Sequence, residues 1–255
     1  MKQAMRYLPG KQPGGLGSGI TIVEMLISMT LAIVLLLSLV MLYYGSAKTA
    51  AREENIGSAS QDGRLLSRRL SRNLQMAGFV FPEDMDGDTN DINRDVPGQT
   101  WSDSSFDDFE FASTYQLVFA GDVDHDNHTE TTCLFLNGDS LIQMTWEWTL
   151  ATRTWAGPVR RSLATRVSRI IFDYFDRDQV RIPDTTGYRS GGFVLTAGQR
   201  RQITGVQITL VMRSENTENR IPEILVLPDG TTYDDQFRRS VIQFMVRGRN
   251  LSLGA

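Results

Sequence analysis

Residues 20–44 read ITIVEMLISMTLAIVLLLSLVMLYY, an apolar run that no proline interrupts and that holds a single charged side chain, Glu24. Wound as a helix at about 1.5 Å per residue, the run is about 37 Å long, enough to cross a hydrocarbon core of about 30 Å. A helix that is hydrophobic all round belongs in lipid or inside a bundle, so this stretch predicts a membrane-spanning or assembly helix. Upstream lie Lys2, Arg6 and Lys11, then Gly14, Gly15, Gly17 and Gly19. A secretory signal peptide carries its small-residue cut site after the apolar stretch; here the small residues precede it. A cut after Gly19 removes a basic leader, residues 1–19, keeps the apolar run and makes Ile20 the new amino terminus.

The lone acid then acquires a purpose. A carboxylate inside a membrane-spanning helix is expensive, so its presence points to a function and to a partner. The partner expected for Glu24 is the ammonium created at Ile20 of this or a neighbouring subunit. Pairing neutralises both charges in a low-dielectric bundle, whereas either one left alone there is costly. The plainer reading is an ordinary single-pass anchor that tolerates one Glu near its end; it leaves the glycine and the leader charges as coincidence.

Gly19-Ile20-Thr21-Ile22-Val23-Glu24-Met25-Leu26 resembles the processing site of type IV pilins and their pseudopilin relatives. The resemblance implies that a prepilin peptidase cuts between Gly19 and Ile20 and methylates the new terminus, with Glu24 fifth in the mature chain. Phe is commonest at the first mature position in that family, so Ile20 is a departure; many major pilins also carry a proline in the apolar run, which is lacking here. Arg64 to Phe79, RLLSRRLSRNLQMAGF, resembles the stem of PilW-type minor pilins. Arg166 to Tyr174, Ile203 to Arg213 and Phe244 to Asn250 look like segments of PilW-type and J-type pseudopilin chains. What this implies is a minor pilin that helps to initiate or cap a type IV pilus. Its partners would be the prepilin peptidase, other minor and major pilins through the helix and, indirectly, an inner-membrane platform protein and an assembly ATPase. The alternatives are a J-type minor pseudopilin of a type II secretion system, or a pilus-tip adhesin or DNA-binding subunit.

The 255 residues carry a net charge of −4, and loss of the three leader cations takes it to −7. The charge is uneven, since the acids crowd into residues 79–133, so there is no global basic footprint for nucleic acid. Cys133 is the one cysteine, which excludes an internal disulfide. Basic residues before the run predict a cytoplasmic leader and an exported C-terminal bulk; the resemblance implies an inner-membrane anchor and a later place in the pilus or at the cell surface.

After Tyr44 the pattern becomes amphipathic without a break. Leu66, Leu70 and Leu74, continued backwards by Gly63, Ala59 and Ile56, make one apolar stripe, while Arg64, Arg68, Arg69 and Arg72 take the other faces. A helix is therefore predicted from about Ile22 to about Met76, ended by Gly78 and Pro82, with residues 45–78 as its stem. Residues 79–255 read as a β-rich domain that opens with an acidic loop, 80–112. Strands are expected at 115–120, 131–136, 140–149, 167–175, 193–196, 203–212 and 241–247, with Asn137-Gly138 as a hairpin signal. The expectation is an α+β fold: a long N-terminal helix packed on antiparallel sheet, which the resemblance would make pilin-like.

Two loops have metal-ligand spacing. Asp122, Asp124, Asp126 and Glu130 occupy positions 1, 3, 5 and 9 of one; Asp84, Asp86, Asp88 and Asn90, with Asp95, repeat the spacing in the other. Aspartates on alternate residues of a tight loop converge oxygens on a hard cation such as Ca²⁺. Neither loop completes an EF-hand signature, and a solvated turn in which Asp and Asn cap their own backbone is the alternative. No cofactor is required by the expected role. His125 and His128 form an H-x-x-H pair for which Cys133 or an Asp is the available third ligand, but an acidic turn predicts that they are exposed. Trp146 and Trp148 share a strand face and read as packed sheet. There is no Ser-His-Asp arrangement, phosphate-binding glycine loop or CxxC pair, so catalysis is not expected.

Overall fold

The structure, a computed structural model, describes residues 21–78, 108–149, 152, 154–183, 192–215, 224–227 and 229–248. The processing residues Gly19 and Ile20, and the loop residues Asp84, Asp86, Asp88, Asn90 and Asp95, lie outside the described residues. The elements are α1 (Ile22–Gln75), β1 (Phe111–Ala112), β2 (Gln116–Gly121), β3 (Glu130–Asn137), β4 (Ser140–Thr149), β5 (Thr154–Ala164), β6 (Val167–Phe175), β7 (Arg181–Ile182), α2 (Ala197–Arg200), β8 (Gly205–Arg213), β9 (Leu225–Val226), β10 (Thr232–Tyr233) and β11 (Arg239–Arg247). The chain forms two compact units, Met1–Ala51 and Arg52–Ala255.

In the first unit, Thr21 starts α1: its Oγ1 accepts the Glu24 backbone N–H at 3.2 Å and its carbonyl accepts the Met25 N–H at 3.1 Å. That is N-cap chemistry, satisfying donors that the first turn leaves without intrahelical acceptors. The hydroxyls of Thr30 and Ser38 turn back onto the carbonyls of Leu26 and Val34, so the helix hides its own polar side chains. Residues Ile22–Ala51 form a helix long and apolar enough to cross a membrane, with none of that stretch buried inside the unit.

The second unit is α+β, as the sequence pattern predicts. Its helical part buries the expected stripe: Ala59, Leu66, Leu70 and Leu74 are buried with Ala77, while Arg64, Arg68, Arg69 and Arg72 are exposed. Gly78, at a positive φ of 77°, ends the helix and donates its N–H to the Ala120 carbonyl at 2.9 Å. Two antiparallel sheets meet the stripe. One is a five-stranded meander, β1-β2-β3-β4-β5; the other runs β11-β8-β6-β7, and β9 and β10 pair as a small ribbon. Alternation along β2 sends Leu117 and Phe119 into the core shared with the helix and Val118 to the opposite face, where it packs with Cys133 and Trp146. The second sheet adds Val167, Ile170, Phe172, Ile208, Leu210 and Met212 to the shared core. The sheets are tied where Phe172 donates its N–H to the Thr114 carbonyl at 2.9 Å and Tyr174 its hydroxyl to the Ser113 carbonyl at 2.7 Å.

Beyond the two-residue strands β1, β7, β9 and β10, the first of which falls inside the expected loop 80–112, three differences from the sequence reading have physical causes. Residues 193–196 do not form a strand: only Val194 bridges, to Ser113, and Thr196 instead caps α2, its N–H donating to the Gln199 side-chain oxygen at 3.0 Å. The hairpin turn centres on Gly138 and Asp139, one residue later than the Asn137-Gly138 signal, because Asn137 pairs with Ser140. The third is β5, an eleven-residue edge strand that sequence patterning did not predict. It is exposed along most of its length and contains Pro158, so it lacks the half-buried alternation by which strands are recognised.

Candidate functional site

Two features carry candidate function, and each belongs to its own unit. The first is the apolar segment of α1. Ile22, Met25, Leu26, Met29 and the residues following them are exposed on every side of the helix. Large contiguous apolar surface of this kind marks a lipid or protein contact. Within it stands Glu24, at the third helical position after the Thr21 cap. Thr21-x-x-Glu24 is also the capping-box spacing, a signal in the sequence that pattern reading for the acid alone passes over. Among the described residues the Glu24 carboxylate has no hydrogen-bond or ion-pair partner.

The second feature is the turn between β2 and β3. Gly121 and Glu130 are register partners, and residues 122–129 bridge them. The turn bends through His125 and Asn127, both at φ of 70°, the left-handed region that short polar residues tolerate best. Asx-type bonds hold it: the His125 N–H donates to Asp122 Oδ1 at 2.7 Å and the His128 N–H to Asp126 Oδ1 at 2.9 Å. The Val123 N–H donates to Glu130 Oε2 at 2.6 Å. One oxygen from each of Asp122, Asp124, Asp126 and Glu130 lies within 4.8 Å of the others, so the four acids singled out by spacing are brought together.

Burial divides them. Asp124 and Asp126 are exposed, whereas Asp122 is 3% and Glu130 2% exposed. Glu130 Oε1 is buried and has no hydrogen-bond partner. Burial, with Asp124, Asp122 and Asp126 adding to it against the Val123 N–H, pushes the Glu130 carboxyl up to about 8 in the metal-free protein. Asp124 is also raised, by burial first and then by Asp126.

Of the third ligands open to the histidines, Cys133 or an Asp, the structure brings only an Asp, and only to His128. Cys133 joins neither carboxylate group; it is buried beside Val118 and Trp146, accepts a hydrogen bond from Gln116 Nε2 at 3.3 Å, and burial pushes its thiol up to about 11. His128 instead groups with Asp126 and Glu147, all three exposed. Glu147 was not singled out in the sequence, yet it stands opposite Glu130 in the β3–β4 register. Its place follows by counting back along the hairpin from the Asn137–Ser140 pair. Trp146 packs with Val118 and Cys133, as expected for sheet core, and Trp148 meets Trp155 edge to face at 5.3 Å.

No protein-family model matches the chain, and no curated protein matches it. Among solved structures it is similar to a type IV-like pilin from Thermus thermophilus, with 10% sequence identity, a TM-score of 0.43, and coverage of 75% of this chain and 97% of that one.

Proposed function

We propose that this chain is a minor pilin of the PilW type: a structural, non-catalytic subunit that enters a helical fibre through α1 and presents its β-domain at the surface. The observation that carries the reading is the apolar helix Ile22–Ala51, exposed on all sides, with one carboxylate at Glu24 beside its start. In lipid such a helix is satisfied except at Glu24; in a bundle of like helices Glu24 meets the ammonium of Ile20 once the leader is cut at Gly19. On this reading residues 20–44 hold the chain in the inner membrane with residues 1–19 cytoplasmic and the β-domain outside. A prepilin peptidase matures it, and a platform protein and an ATPase draw it into the fibre.

The test is Glu24→Ala against Glu24→Gln in cells that assemble fibres, scoring leader cleavage and incorporation separately. Both variants should be cleaved, and incorporation should fall at least tenfold for each, because neither retains the charge that meets the terminal ammonium. Incorporation at the wild-type level overturns the reading.

A further inference from the structure

We infer that the β2–β3 turn is a calcium site, in which Asp122, Asp124, Asp126 and Glu130 bind the ion. The inference is independent of how the chain is processed or assembled. It rests on an oxygen left without a partner rather than on a count of acids. Glu130 is the first residue of β3, its backbone held in register opposite Gly121. It is 2% exposed; Oε2 takes the Val123 N–H, and Oε1 takes nothing. Buried carboxylate oxygens are almost always hydrogen-bonded or metal-bound, because an unmet one forfeits its hydration without compensation. One oxygen of each of Asp122, Asp124 and Asp126 lies within 4.8 Å of a Glu130 oxygen, and none of the three brings a positive charge. A cation among the four acids supplies the positive charge that the cluster lacks and gives the buried Glu130 carboxyl a partner.

The donor set selects the ion. Four carboxylates and no thiolate or imidazole make a hard, all-oxygen site. Calcium accepts 6–8 oxygens at about 2.3–2.6 Å in flexible geometry, whereas magnesium keeps most of its waters and seldom enters an all-protein cage. Two buried ligands, Asp122 and Glu130, fix one side of the ion, and the exposed Asp124 and Asp126 leave the other open to water. The second group, Asp126, His128 and Glu147, is wholly exposed.

The ion would also act on the helix end. A Cβ on Gly121 would lie 2.2 Å from the Met76 carbonyl oxygen, and the Gly78 N–H donates to Ala120, so the mouth of the turn abuts the last residues of the stem. Closing Asp122 onto Glu130 clamps the two strand ends against which the helix terminates.

The test uses full-length protein in detergent micelles, stripped with chelator and titrated with calcium chloride by calorimetry, with melting followed in parallel. Expected are one calcium ion per chain and a rise in melting temperature of several degrees. Asp124→Asn should weaken binding at least tenfold, and Glu130→Gln should abolish both binding and the shift. Without calcium, Glu130→Gln should melt no lower than wild type, because its side-chain carbonyl still accepts the Val123 N–H, so its loss of binding is separable from misfolding. His128→Ala should bind calcium as wild type does. The inference is overturned if calcium gives neither heat nor shift, if Glu130→Gln keeps the shift, or if magnesium at equal concentration stabilises as strongly.

Discussion

Gly63 sits in the buried stripe of α1, where the helix packs against β8 and β11 of the second sheet, and it offers a test of the packing within the β-domain unit. A Cβ added there would lie 2.1 Å from Ile242 Cδ1 and 3.1 Å from Met212 Cγ. Two effects of a Gly63→Ala change oppose each other. Replacing a mid-helix glycine with alanine stabilises by about 1 kcal/mol. Forcing a methyl into a filled contact costs about 1–3 kcal/mol. The clash wins or breaks even, so the single variant should lose about 0–2 kcal/mol. Ile242→Val deletes the carbon that lies nearest, Cδ1; Ile242 is only partly buried, so that change alone should cost toward the low end of about 0.5–1.5 kcal/mol. In the valine background Gly63→Ala should turn neutral or stabilising, which gives a coupling of about 1–2 kcal/mol between sites far apart in sequence. Denaturant titration of the four proteins measures it, and for a unit of this size each kcal/mol is worth about 2–4 °C in melting temperature. Additivity within about 0.3 kcal/mol would refute the close approach of helix and β11 that the structure shows.

Two further predictions concern the same unit. Leu70→Ala, at a fully buried stripe position, should cost about 2–5 kcal/mol in the same titration, whereas Leu65→Ala, on an exposed face, should cost under about 0.5 kcal/mol. Asp229 anchors the β9–β10 ribbon: its Oδ2 accepts Arg169 Nη2 at 2.8 Å and Nε at 3.0 Å, and its Oδ1 accepts the Thr231 N–H at 3.0 Å. Burial raises the Asp229 carboxyl, but the Thr231 N–H, Arg169 and the Thr231 hydroxyl outweigh it and hold it below its usual 3.8. A lowered folded value means that the carboxylate stabilises fully above 3.8 and that this contribution drains away as pH falls through the folded value. Asp229→Asn should therefore cost about 1–3 kcal/mol at pH 6 and distinctly less at pH 3; an equal cost at both would contradict the assignment.

What the sequence reveals, and what it hides, follows from where each constraint lives. The helix is legible from Ile22 to its end because its signals are local: an unbroken apolar run, a leucine every fourth residue, then Gly78. Strands β2, β3, β4, β6, β8 and β11 are legible because each is a short run rich in apolar, β-branched and aromatic residues. Strand β5 is hidden because an exposed edge leaves no such run, and β9 and β10 because two residues make no period. At the acidic turn the spacing of Asp122, Asp124, Asp126 and Glu130 is visible in the chain, but the burial of Glu130 and the approach of Glu147 are products of sheet register. Gly63 reads in the sequence as a small penalty on the helix; in the fold it is the space that Ile242 fills.

The central claim is that a cut after Gly19 frees an ammonium at Ile20 for Glu24 to meet. Intact mass and amino-terminal sequencing of protein extracted from native membranes test it most directly. The account predicts a chain lighter than 28.6 kDa by residues 1–19, beginning at Ile20 and carrying one added methyl group. A chain that still begins at Met1, or one cut after the apolar run, would contradict it.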